Sequence, residues 1–389
     1  MSLTHFQHTT PPFRTFCGDG ALSWLSRELD RLGCERTVLV TGHWLDTHQA
    51  VAKRVTDAVG ARLVGVFDGV VEHSPIPSVQ GASLLLADVG ADSVIALGGG
   101  SSIVTARVES ILLAEGRQVR ELCTHRDADG RLISPKLQAP KIPNWIIPTT
   151  PTTAYAKAGS AVRDPESGER LALFDPKTRA QGILVDPEVV LTSPLSLASS
   201  AALNAFSMAV ESILAGVDDP LADALLFHAL RELSIWLPKL IASPRDPEPR
   251  MRLMLCSLMC GQGSDYVGGG LAQALSHAAG PRSTVSNGVV EAVLLPHAMR
   301  FTAETSPGRL NVVADALGID GNHPKKGPAI EAVMARLEAL SVPSRLRDVG
   351  VAAESLEEIV EHALEDWSLT RVPRRPTREQ LMKLLKDAW

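Results

Sequence analysis

The sequence predicts an α/β N-terminal domain with a Rossmann-like parallel sheet over residues 1–192, followed by an all-helical domain over 193–389. Three observations lead there. Short apolar runs at 37–41, 64–67, 93–97, 145–148 and 182–186 alternate with stretches of helical period, the pattern of a parallel sheet covered by helices. Beyond Ser193-Pro194 only the helical period continues. The chain has 389 residues, more than one hydrophobic core ordinarily organises.

Residues 1–30 start extended around Pro11-Pro12, and a helix follows Gly18 and Gly20. The run 37–41 reads as a buried strand that ends at Gly42-His43, with a helix from about Asp46. A third strand covers 64–67, His73-Ser74-Pro75 opens a loop, and a helix over 77–89 leads to the central strand at 93–97. Residues 113–141 read as a polar loop. The strand at 145–148 ends in Thr149-Thr150, a polar hairpin turns at 164–168, and 182–186 is the last strand. Ser193 as N-cap with Pro194 at the first helical position is a helix-start signal. Helices are expected at 196–215, 220–241, 248–264, 269–279, 288–304, 327–340 and 354–365, with Pro220, Pro238, Pro244, Pro247 and Pro249 at the breaks.

The formal net charge is −6 with no polybasic block, so nucleic acid and anionic membranes are excluded as partners. Cys17, Cys34, Cys123, Cys256 and Cys260 are scattered and odd in number. That argues against a disulfide framework and for a reducing cytoplasm. Cys256 and Cys260 share a helical face and read as packed apolar thiols. The N-terminus lacks a basic-then-apolar signal pattern, and no apolar run is expected to reach membrane-spanning length.

The organising stretch is ADSVIALGGGSSIVTAR, from Ala91 to Arg107. A buried strand runs into Gly98, Gly99 and Gly100, then Ser101 and Ser102, then helical spacing at Ile103, Ala106, Ile111 and Leu112. Glycines let a backbone approach a phosphate, and the N–H groups of a helix start point at it. The alternative is an ordinary tight turn, but both flanks suit a nucleotide. The end of strand 145–148 is expected beside this turn, where ligands sit in open α/β sheets.

On these residues the chain resembles the iron-containing alcohol dehydrogenase superfamily, which has the dehydroquinate synthase-like fold. GGGSSIVTAR at 98–107 matches its phosphate loop, Pro148-Thr149-Thr150 its threonine pair, and Asp186-Pro187 the step into its helical domain. VLLPHAMRF and the tail RRPTREQLMKLL follow in order. Asn204 in its LNA setting, VGVFDGVVEHSP and ADSVIALGGGS are similar to the maleylacetate reductase branch. The resemblance implies a dinucleotide, NADP or NAD, held by Gly98, Gly99, Gly100, Ser101, Ser102, Thr149 and Thr150. Gly42 stands where an acidic residue would bind the adenine ribose, so a 2′-phosphate is not repelled there and His43 would face it.

The resemblance also implies a metal, on an Asp and a His one turn apart and two His fourteen residues apart. Those positions hold Asn204, Met208, Gln273 and Asn287. Amides are neutral and a thioether is soft, so no catalytic metal is expected, and these side chains would contact substrate or merely pack. The phosphate-loop Asp and Lys of the family are Val104 and Arg107 here.

Without a metal another group must move the proton and stabilise a developing alkoxide. His277 matches a family histidine that is not a ligand, and its ordinary pKa suits the task; the alternative is a core histidine. Lys157 and Tyr155, in the altered loop after the threonine pair, are further catalytic candidates, and Arg282 is a candidate clamp for an anionic substrate.

Three functions stay open. One is a metal-independent NAD(P)-dependent oxidoreductase of a hydroxyl or ketone group, on a small or peptide-intermediate substrate, in one variant a hydroxy acid that then decarboxylates. The others are a maleylacetate reductase-like enzyme and a non-catalytic dinucleotide-binding partner subunit. The resemblance implies a homodimer.

Overall fold

The computed structural model describes residues 6–215, 217–319 and 327–389. It contains two compact units. One comprises Pro11–Thr150 and Ala154–Ser193; the other comprises residues 6–10, Pro151–Thr153 and Pro194–Trp389.

The first unit carries strands β1 (Arg14–Cys17), β2 (Thr37–Val40), β3 (Leu63–Phe67), β4 (Ser93–Gly98), β5 (His125–Arg126) and β6 (Leu132–Ile133). It continues with β7 (Asn144–Pro148), β8 (Gly159–Arg163), β9 (Arg170–Phe174) and β10 (Gly182–Val185). Its helices are α1 (Trp24–Leu32), α2 (Gln49–Val59), α3 (Ile76–Asp88), α4 (Gly100–Glu115) and α5 (Val119–Leu122). Six strands form one parallel sheet in the order β1-β10-β7-β4-β2-β3. The four inner strands are buried along their whole length, as strands covered on both faces must be. Each apolar run expected to be a strand is one, within a residue at either end.

Helix α4 is buried on nearly every side, from Ser102 to Leu112. Its Arg107 is fully buried and donates to the carbonyls of Gly159, at 3.2 Å, and Ala154. It acts as a strut from the helix to the loop after β7. Glu109 on the same helix is also fully buried, and burial pushes its carboxyl well above the usual range.

The expected polar loop at 113–141 needs correction. Helix α4 continues through Glu115, α5 follows, and β5 pairs with β6 in a small hairpin. A capping box between Gln118 and Glu121 starts α5; that Q-x-x-E spacing was the signal available.

The second unit is helical: α6 (Leu195–Leu214), α7 (Pro220–Ala242), α8 (Pro247–Val267), α9 (Leu271–Ala279), α10 (Asn287–Thr302) and α11 (Pro307–Ala316), then α12 (Gly327–Ala339), α13 (Leu356–Leu364) and α14 (Arg378–Ala388). The periodicity missed α11. Pro220 and Pro247 open helices behind Asp219 and Asp246, whose side chains cap the first turns. Pro238 does not break α7, which runs on to Ala242. A proline removes one helical hydrogen bond, and here the fully buried Leu237 and Leu240 hold the helix to its neighbours. Helix α6 begins at Leu195, so Pro194 and not Ser193 occupies its N-cap position.

Helix α6 is long and apolar enough to cross a membrane by length and composition, contrary to the sequence expectation, but 78% of its apolar window is buried inside the protein. Cys256 and Cys260 are buried in α8, and burial pushes the Cys256 thiol up to about 12.

Candidate active site

Strand β4 ends at Gly98 with φ 144°, a conformation that side chains rarely tolerate. A Cβ there would lie 2.4 Å from Ser102 Oγ. A Cβ on Gly99 would meet Thr150 Oγ1 at 2.7 Å, and Thr149 N–H donates to Gly98 O at 3.0 Å. The fold thus brings the glycines and the threonine pair together where β4 and β7 end. Gly100, Ser101 and Ser102 form the first turn of α4, whose leading N–H groups have no partner within the helix. Such a cradle suits a pyrophosphate.

Two parts of this cradle escaped the sequence reading. His73 N–H donates to Ser101 Oγ at 3.2 Å, and Ser74 Oγ donates to Ser101 O at 3.0 Å. Both residues adopt positive φ, 65° and 47°, which is uncommon outside glycine and clusters at ligand sites. The Pro75 that follows predicts an extended Ser74 instead. Trp44 is the second part. A Cβ on Gly42 would stand 3.3 Å from its Cδ1, and one on Gly98 would stand 3.9 Å from its Nε1. The indole therefore walls the glycine turn.

Gly42 follows β2 as expected, but the strand end does not lack a carboxylate. Asp68, just after β3, lies 3.4 Å from His43 Nδ1 with both side chains exposed. A carboxylate therefore faces His43 at the place where a 2′-phosphate is expected.

In the helical unit, Asn204 and Met208 lie one turn apart on α6, Gln273 and His277 one turn apart on α9, and Asn287 starts α10. Asn204 donates to Glu291 on α10. Asn287 Nδ2 donates to Ser276 Oγ at 3.3 Å, and Ser368 Oγ donates to Gln273 Oε1 at 3.0 Å. Met208 is 1% exposed within the helical core, so it packs and does not contact substrate. His277 Nδ1 lies 2.7 Å from Asp366 Oδ2.

Helix α9 has no capping side chain of its own, because Gly270 precedes it. Glu211 of α6 takes that place, accepting from Ala272 N at 2.6 Å and Gln273 N at 3.0 Å. Burial is the largest influence on this carboxyl and raises it to about 7 against the backbone bonds. A carboxyl raised in the folded state favours folding below its unfolded value of 4.5 and loses that contribution as pH rises through about 7. The shift corresponds to about 3 kcal/mol. In denaturation measured against pH, Glu211→Gln is expected to lower stability at acid pH by about 1 kcal/mol for the lost acceptor. It is also expected to remove the fall between pH 4.5 and 7. An unchanged slope would contradict this role.

Two further candidates are corrected by their surroundings. Tyr155 is fully buried and its hydroxyl donates to Thr150 O, so it props the threonine pair and is not placed to protonate a substrate. Arg282 pairs with Glu358, donates to Ala278 O at 2.7 Å and meets His362 Nδ1 at 3.2 Å. Its guanidinium ties α9 to α13 and is not available as an anion clamp. Lys157 is half-buried just past the short 3₁₀ turn Thr153–Ala156 and keeps its candidacy.

Two family models match nearly the whole chain: iron-containing alcohol dehydrogenase over residues 12–187, and the C-terminal region of the Fe-containing alcohol dehydrogenase family over 198–389. The chain belongs to the iron-containing alcohol dehydrogenase family. The lactaldehyde reductase of Escherichia coli is 29% identical over 379 residues, spanning 96% of this chain and 97% of its own. Maleylacetate reductase 2 of Cupriavidus pinatubonensis is also 29% identical over 379 residues, spanning 97% and 95%. The solved structure of an alcohol dehydrogenase from Oenococcus oeni superposes with a TM-score of 0.90 at 22% identity, over 99% of this chain and 100% of that one, a likeness of fold. The chain is therefore an oxidoreductase of alcohol dehydrogenase type.

The residues at the positions where the resemblance places the family metal do not fit it. Of the four, two are amides already donating to side chains, one is an amide whose oxygen accepts from Ser368, and one is a buried thioether. Among the described residues no three His, Cys, Asp or Glu gather as a metal site. Neutral amide oxygens and a thioether hold a divalent first-row ion poorly.

Proposed function

We propose that the protein is a metal-independent NAD(P)-dependent oxidoreductase of a hydroxyl or ketone group. The substrate is a small molecule or a biosynthetic, even peptide-borne, intermediate, including a hydroxy acid that decarboxylates after oxidation. The observation that carries this reading is a contrast. The phosphate cradle keeps Gly98 against Ser102, Gly99 against Thr150 and Ser101 bonded to His73, while Asn204, Gln273 and Asn287 are drawn into bonds with protein side chains. Gly98, Gly99, Gly100, Ser101, Ser102, Thr149 and Thr150 would hold the dinucleotide. When bound, its nicotinamide supplies or accepts hydride. His277 then takes the hydroxyl proton in oxidation and returns one in reduction. In the helical unit Asn204, Gln273 and Asn287 are the candidates for substrate contact, and in the other unit Lys157 is the candidate cation for a substrate carboxylate. The protein works as a homodimer in the cytoplasm.

A second reading, reduction of maleylacetate, is favoured by the full-length similarity to a maleylacetate reductase. The test is turnover on ketones, hydroxy acids and maleylacetate with NADH and NADPH, with and without chelator. Equal rates in both arms are expected. Loss of turnover with chelator, restored by Fe²⁺ or Zn²⁺, would contradict the proposal.

A further inference from the structure

The turn after α13 holds the imidazole of His277 from two directions. Asp366 is the N-cap of the short 3₁₀ helix Trp367–Arg371; its Oδ1 accepts from Ser368 N at 2.8 Å. Its Oδ2 lies 2.7 Å from His277 Nδ1, with the histidine side chain 13% exposed and the aspartate 8%. Trp367 packs against the imidazole, ring centres 5.4 Å apart and planes tilted by 42°. Ser368 Oγ, from the same turn, donates to Gln273 Oε1 one helical turn before His277. One short segment therefore fixes both residues on α9.

We propose that Asp366 is a positioning residue that holds His277 in the Nδ1–H tautomer through the Asp366–His277 contact. The proposal rests on the reading of His277 as the group that moves the proton. A carboxylate only accepts hydrogen bonds. With Oδ1 occupied by Ser368 N–H and Oδ2 facing the ring, Nδ1 must carry the hydrogen. Nε2 is then the nitrogen that takes and returns a proton.

The cap also dictates what an amide would do. In Asp366→Asn the Ser368 N–H still needs an acceptor, which keeps the amide oxygen at the Oδ1 position. The amide NH₂ then occupies the Oδ2 position and donates to Nδ1. The ring hydrogen is forced onto Nε2, with the same fold and the wrong tautomer.

The test is the ¹⁵N spectrum of the His277 ring in the full-length protein, read together with turnover. The native protein is expected to show the Nδ1–H tautomer at neutral pH, and Asp366→Asn the Nε2–H tautomer. With that switch kcat is expected to fall about 10²- to 10⁴-fold with KM little changed. Adding Asp366→Asn to His277→Ala is expected to cost nothing further. The native spectrum needs no variant to fold, and an Nε2–H tautomer there overturns the proposal. So does a folded Asp366→Asn protein that keeps Nδ1–H. A tautomer that switches while turnover holds supports the positioning and overturns instead the proton-moving role of His277.

Discussion

Replacing Gly98 by alanine is expected to weaken nicotinamide nucleotide binding by about 100-fold or more, close to 3 kcal/mol. Two costs combine at this position. Its φ of 144° is one that an L-residue adopts only with strain of about 1–3 kcal/mol. The added methyl would also sit 2.4 Å from Ser102 Oγ and press on the first turn of α4. Relief requires the end of β4 or the start of α4 to move, and both form the phosphate cradle. The Thr149 N–H bond to Gly98 O ties the threonine pair to the same peptide, so it shifts too. Titration of intrinsic fluorescence with NADH and NADPH reads the effect directly. Affinity within threefold of the native protein would show that the glycine turn is not the phosphate site.

Replacing Gly288 by alanine is expected to destabilise the protein by about 3 kcal/mol or more, through overpacking that cannot relax. A Cβ there would lie 1.9 Å from Ser200 O and 2.8 Å from Ser200 C. The obstacle is main chain of α6, so no rotamer change relieves it, and α10 must move off α6. The Asn204 bond to Glu291 crosses the same contact and would be strained with it. In urea denaturation the midpoint should fall with the slope unchanged. A midpoint equal to that of the native protein would mean that the two helices do not meet at Gly288.

The sheet was legible because buried parallel strands read as unbroken apolar runs, and the strand at 93–97 and the run at 182–186 carried their own boundaries. The glycine turn was legible because Gly98–Gly100 stand between a strand and a helix. Partners brought from far along the chain were not. Nothing local announces that Asp68 reaches His43, that Glu211 caps α9, or that Asp366 meets His277 across 89 positions. Buried charges are hidden from the sequence for a related reason. Arg107 and Glu109 look like surface residues of an amphipathic helix, yet α4 is covered all round, and only the fold reveals that. Tyr155 and Arg282 have the chemistry of site residues, but their hydrogen bonds are spent on the main chain and on α13. Pro238 shows the limit of punctuation: packing of α7 outweighs one missing hydrogen bond.

The proposed function requires that the family's metal pocket has lost its ion chemistry while its nucleotide cradle remains. The most direct measurement is elemental analysis of the protein after incubation with Fe²⁺ or Zn²⁺ and desalting, beside a variant carrying Asn204→Asp, Met208→His, Gln273→His and Asn287→His. Far less than one ion per native chain is expected, with a gain of metal in the variant. One tightly held ion per native chain, displaced by none of the four substitutions, would contradict it.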